Sequence, residues 1–267
     1  MSQPKDVMPV LFVGHGTPMN AIEENEFSRT WEKLGRELSR PEAVLCISAH
    51  WEDSASWVTA MEQPKTIHDF GGFPDKLYEQ QYPAPGAPAL ADEMASHLTE
   101  YGIEKDYGWG LDHGTWSVLR HMYPQADIPV VQLSIDYTKG MRYHYELGRS
   151  LSFLRRRGVL VIGSGNMVHN LGMVKWKGGE IDNGFAYDWA EELNERMKRA
   201  LLTGDHESLI DYKSLSEYPR LGIPTEEHYI PLIYALGLQS EGDSLVFFND
   251  KVVGGSLSMT SFIIANK

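Results

Sequence analysis

Apolar residues recur along this chain in two alternating rhythms. Short continuous runs, VMPVLFV ending at Val13, AVLCIS from Ala43 and GVLVIGSG from Gly158, read as strands buried on both faces. Between them, apolar positions return every three or four residues. Phe27, Trp31, Leu34 and Leu38 mark a helix over about residues 24–39, and Leu90, Met94 and Leu98 another over about 89–101. By the same criteria, further strands are expected at about 55–61 and 128–135, and further helices at about 115–122, 140–156, 185–202, 205–212 and 226–236. Residues 67–88 form a loop rich in glycine, proline and aromatics, long enough to serve as a lid or binding flap. The tail changes character. Residues 244–248 and 256–264, joined by Asn249-Asp250-Lys251 and Gly254-Gly255, read as an antiparallel hairpin.

Strands alternating with helices predict an α/β fold, a sandwich whose central mixed, mostly parallel sheet is flanked by helices and finished by that hairpin. No repeat, low-complexity tract or linker divides the chain, so one domain is expected over residues 1–267. A net charge of -13 disfavours nucleic acid and anionic membranes, which need a basic footprint. The start lacks a secretory leader, and no apolar run approaches the ~20 residues of a membrane span, so a cytoplasmic protein is expected. Monomer and small homo-oligomer both remain open. The one cysteine, Cys46, lies inside an apolar run and reads as a core thiol.

Histidine placement carries the chemistry. His15 follows the first buried run between Gly14 and Gly16, where the backbone can turn sharply and expose a ring. His50 ends the second run, and His169 follows the third after Gly163-Ser164-Gly165. In open α/β sheets ligands collect beyond the carboxyl ends of strands, so these histidines can converge from distant segments. His15 and His50 are therefore metal-ligand candidates. A third ligand is available from Glu226, Glu227 or His228. Two histidines with a carboxylate would suit non-haem iron(II), and three histidines a catalytic zinc ion. His113, beside Asp112 in GLDHGTW, and His169 could be ligands, acid/base groups or packing residues. In the flap, His68, Phe70, Tyr78 and Tyr82 are candidates to contact substrate.

Seven segments together resemble the class III extradiol ring-cleavage dioxygenases, the protocatechuate 4,5-dioxygenase catalytic-subunit class, and within it the DOPA-extradiol-dioxygenase-like branch. They are GHGTPMN at His15, SAHWE at His50, HDFGGFPDKLYEQQYPAPGAP from His68, GLDHGTW at His113, YPQADIPVVQLS from Tyr123, GSGNMVHNL at His169 and EEHYIPLIYALG at His228. The resemblance runs nearly end to end. It implies one divalent metal held by His15, His50 and His228, with catalytic roles for His169 and His113. It also implies a small aromatic diol and O2 as reactants. The broader class usually places a glutamate at the third ligand, where this chain matches with His228. Iron(II) is expected for oxygen chemistry, and a three-histidine set would also accept zinc(II). Two other functions share these ligand types: a zinc-dependent hydrolase and a non-catalytic metal- or ligand-binding protein.

Overall fold

The buried runs do form the centre of the molecule, and their side chains alternate between two cores. Val10 and Phe12 face one apolar cluster while Leu11 and Val13 face the other. Leu45 and Ile47 are likewise separated from Val44 and Cys46, and Val161 from Leu160 and Ile162. Period-two alternation with both faces apolar requires helices on both sides of the sheet.

The computed structural model describes residues 7–217 and 219–266. Its strands in chain order are β1 (Val10–Gly14), β2 (Ala43–Asp53), β3 (Trp57–Thr59), β4 (Glu104–Asp106), β5 (Val130–Asp136) and β6 (Val159–Gly165). A surface hairpin follows, β7 (Trp176–Lys177) with β8 (Glu180–Ile181). The remainder are β9 (Asp243–Phe248), the ribbon β10 (Val252–Val253) with β11 (Leu257–Ser258), and β12 (Ser261–Asn266). Eight strands make one mixed sheet in the order β4-β3-β5-β2-β6-β1-β12-β9. The inner strands β5, β2, β6 and β1 are parallel, so their carboxyl ends lie together along one edge.

Helices α1 (Glu26–Glu37), α2 (Asp75–Tyr78), α3 (Pro88–His97), α4 (His113–Met122) and α5 (Met141–Ser150) occupy the first half of the fold. The second half holds α6 (Phe153–Arg156), α7 (Asp188–Thr203), α8 (His206–Ile210), α9 (Pro219–Gly222) and α10 (Ile230–Gly237). Helices α1 and α4 cover one sheet face through Phe27, Trp31, Trp116 and Leu119. Helices α3, α5, α7 and α10 cover the other through Met94, Leu147, Leu193 and Ile233. The start of α1 is fixed by a capping box, in which Asn25 accepts from Phe27 and Ser28 and Ser28 Oγ accepts from the Asn25 amide. Among the described residues no helix is long and apolar enough to cross a membrane.

Three expectations need correction. The helix expected at 140–156 is broken at Leu151 and Ser152, and the break turns α6 so that Arg155 reaches Asp243. Helix α10 begins at Ile230 rather than 226, because Pro231, without an amide proton, is accommodated only in a helix's first turn. The tail is not one simple hairpin. Residues expected as a single strand at 256–264 divide into β11 and β12, and β12 lies between β1 and β9, antiparallel to both. The ribbon between them turns through Gly254 and Gly255, both at positive φ (57° and 83°).

Candidate metal centre and active site

The parallel strands deliver the histidines to one end of the sheet. His15 is the first residue after β1, and Gly16 behind it adopts φ 65°, a left-handed turn that glycine accepts without strain. His50 lies inside β2, where its pairing to β5 slips between Ile47 and Glu52 and its pairing to β6 has ended at Ser48. That irregularity frees the His50 ring from the ladder. His228 occupies the turn before α10, and its carbonyl accepts from the Asn166 amide just beyond β6 (2.9 Å). Gly165 allows this approach, since a Cβ there would sit 2.2 Å from that carbonyl.

One nitrogen from each of His15, His50 and His228 falls within a group whose members lie within 4.8 Å of one another. The Nε2 atoms of His15 and His50 are 3.1 Å apart. Two ligands on one ion, each bonded at about 2.1 Å, are separated by about 3.0–3.4 Å at angles near octahedral to tetrahedral. The spacing fits a shared metal.

The opposite face of each ring has its own partner. Ser164 Oγ donates to the Gly114 carbonyl (2.5 Å) and so accepts from His15 Nδ1 (3.0 Å). His228 Nδ1 donates to Glu227 Oε1 (2.9 Å), and His50 Nδ1 lies 3.5 Å from Asp69 Oδ2. Tautomers fixed in this way leave Nε2 lone pairs turned inward, and such outer partners orient ligands in metal sites generally. Burial, followed by the surrounding histidines, holds the His15 and His50 imidazoles well below their ordinary range. Burial also lowers His228, against the pull of Glu227. Burial opposes ionisation of Glu227, yet its bond to His228 holds the carboxyl down at about 2. Neutral imidazoles, two of them backed by carboxylates and one by a hydroxyl, are the ligand state a divalent cation requires. The donor set fits the expected ion.

Two more histidines flank this triad. His169 stacks on His228 with ring centroids 3.5 Å apart and planes 9° from parallel. Its amide donates to the Gly222 carbonyl (2.8 Å), and a bridge to Leu257 fixes its backbone. Burial and then His228 push its pKa down to about 3, so it is neutral near pH 7. His113 is the first residue of α4, 4% exposed, with its ring centroid 3.9 Å from that of His50.

The flap residues divide. Phe70 sets its ring edge-on to His113, with centroids 5.5 Å apart. Tyr78 packs on Phe70 and His68, one shell further out. His68 bonds to the Gln80 carbonyl (2.9 Å) and packs edge-on against Trp116, which makes it an anchor of the flap rather than a wall of the site. Tyr82 is corrected outright: it is 2% exposed and its hydroxyl donates to the Tyr123 carbonyl (3.0 Å), inside the core. Asp112 does not orient the adjacent His113. It caps α4 and accepts from Ser48 Oγ (2.7 Å) and Gln132 Nε2 (2.7 Å). Asp69, which sequence reading passed over, makes the bond to His113 instead.

A cavity of about 720 Å³ adjoins the centre through Gly16, next to His15, and Leu257, bridged to His169. Phe73 and Trp176 are among its aromatic walls, and among the described residues Glu23 and Glu180 are the charged ones on its lining. Burial and then Glu180 raise the Glu23 carboxyl above its ordinary range.

Comparison with known proteins agrees with this geometry. The chain matches the family model described as the catalytic LigB subunit of aromatic ring-opening dioxygenase over residues 8–256. It is 47% identical to the 4,5-DOPA dioxygenase extradiol of Escherichia coli K12, over 95% of this chain and 93% of that one. The Beta vulgaris protein of the same name is 35% identical, with 98% of each chain covered. A crystal structure of an uncharacterized Escherichia coli K12 protein superposes with a TM-score of 0.84 at 43% identity, covering 97% of this chain and 100% of that one. With this family model spanning most of its length and relatives of that name aligned nearly end to end, the chain belongs to the LigB family of aromatic ring-opening dioxygenases.

Proposed function

We propose that this ring-opening dioxygenase cleaves a catechol of the DOPA type outside its two hydroxyls, giving a muconic semialdehyde-type product. One divalent ion, iron(II) in the active form, is held by His15, His50 and His228. The observation that carries the reading is the convergence of three neutral imidazoles, two buried and that of His50 partly so, each backed on its far side. Bound there, the ion would supply Lewis acidity to the diphenol and a route for electrons to oxygen.

The remaining chemistry falls to side chains. His169, neutral near pH 7, accepts a phenolic proton as general base. His113, whose Nδ1 proton goes to Asp69, turns Nε2 towards the reacting groups as a second acid/base site. Phe70, edge-on to His113, shields that side from water. In iron(II)-loaded protein, His169→Ala is expected to lower kcat by about 10²–10⁴-fold while metal content stays unchanged. Unchanged turnover, measured by oxygen uptake with DOPA, would remove His169 from the reaction.

The cavity selects the tail of the substrate. Its charged lining residues are both acidic, so an ammonium group is favoured there and a lone carboxylate finds no counter-ion. Dopamine is therefore expected to show kcat/KM about tenfold above 3-(3,4-dihydroxyphenyl)propionate, the equivalent of one charge-assisted contact of about 1.4 kcal/mol. Glu23→Gln should narrow the gap. Equal kcat/KM values for the two compounds would place the tail elsewhere.

A further inference from the structure

We infer that Asp69 is a positioning residue, which sets the tautomer of His113 and makes the flap a working part of the centre. Its catalytic consequence rests on the ring-opening function proposed above. Asp69 Oδ1 accepts the backbone amide of His113 (2.8 Å), and Oδ2 accepts Nδ1 of the same residue (2.8 Å). The same Oδ2 lies 3.5 Å from Nδ1 of His50. One carboxylate from the flap thus engages the start of α4 and faces a ligand on β2.

Its own placement is firmly held. Ile67 donates its amide to Leu111 (2.7 Å), and its carbonyl accepts from Trp116 Nε1 (2.8 Å). On the other side, His68 is bonded to Gln80, and Phe70 packs on His113. The segment around Asp69 is therefore pinned to α4 on both flanks. The other carboxylate near His113, Asp112, is occupied with Ser48, Gln132 and the Thr115 amide.

The geometry dictates the hydrogen bonding. With Oδ1 committed to an amide, Oδ2 must face the His113 ring, so Nδ1 carries the proton. Nε2 is then the nitrogen left for the reaction. An asparagine in this place has almost the same shape. Its carbonyl would keep the backbone bond, and its NH₂ would face Nδ1, which must become the acceptor. The proton on neutral His113 would move to Nε2, reversing the donor and acceptor sides of the ring. A residue needed only for packing would tolerate that change.

Two measurements decide the matter. The first is ¹⁵N–¹H correlation NMR of the imidazoles in zinc-loaded wild-type protein and in Asp69→Asn. Nδ1–H is expected for His113 in the wild type and Nε2–H in the variant. The second is steady-state kinetics of the iron(II)-loaded forms with DOPA. Asp69→Asn should lose about 10²–10⁴-fold in kcat with KM nearly unchanged, the scale of a misoriented acid/base group. Zinc affinity, by competition with a chromophoric chelator, should weaken by no more than about tenfold, because the approach to His50 is the longer one. Three results would overturn the assignment: Nε2–H already in the wild type, kcat within threefold of wild type in the variant, or activity restored by added metal alone. If wild-type protein consumes no oxygen with any catechol, the proposed reaction fails, and the NMR outcome still decides what Asp69 does.

Discussion

His228→Ala is expected to abolish metal retention and ring cleavage together. Structural zinc sites gain about 10–16 kcal/mol from four ligands, so one ligand contributes about 3 kcal/mol and its loss weakens binding by at least about 10²-fold. The effect here is compounded in two ways. Glu227, half-buried and ionised through its bond to His228, is left without its partner. His169 loses the ring on which it stacks at 3.5 Å. Metal content after dialysis, measured by mass spectrometry, should fall to background while the circular dichroism spectrum stays native. Stoichiometric iron in dialysed His228→Ala would show that His228 is not a ligand.

The second large effect is on stability and lies far from the centre. Arg155 is 1% exposed and forms a two-pronged pair with Asp243, Nη1 to Oδ2 at 2.6 Å and Nη2 to Oδ1 at 3.2 Å. Its Nε also donates to the Met8 carbonyl (2.8 Å), and Nη1 to that of Leu238 (2.9 Å). The group thus joins α6 to the segment just before β1, the end of α10 and the start of the edge strand β9. Removing one partner leaves a fully buried carboxylate with the Ser240 amide alone. Arg155→Met is expected to cost about 3–5 kcal/mol in urea-induced unfolding. A compensating Arg155→Met/Asp243→Leu double variant should recover much of that loss, because an apolar pair carries no desolvation penalty. A loss below about 1 kcal/mol in the single variant would mean that Asp243 reaches water in solution.

Much of the fold was legible because its inner strands are buried on both faces and so appear as unbroken apolar runs. β4 gave no such signal. Glu-Lys-Asp on an exposed sheet edge contains no apolar position to find. His15 and His50 could be found by their places at the ends of buried apolar runs, although β2 itself continues past His50 to Asp53. His228 could not be separated from Glu226 and Glu227, because a turn's sequence does not say which side chain faces inward. In the structure Glu226 turns outward to Tyr212 and Lys213, and Glu227 takes the back of the imidazole. Asp69 was missed for a related reason. Its partner His113 is 44 residues away, while Asp112, next in sequence, is bonded to Ser48 and Gln132. Tyr82 looked like a pocket residue since the flap is aromatic throughout, and only packing distinguishes rings that line a site from rings that anchor a loop.

The most direct test is an oxygen electrode trace with apo-protein reloaded anaerobically with iron(II) and then given DOPA in air. One oxygen consumed per DOPA, with a yellow ring-fission chromophore and no uptake by the zinc-loaded form, is the expected result. Full iron occupancy without oxygen uptake, for DOPA and for every other member of a catechol panel, would contradict ring cleavage at the three-histidine centre.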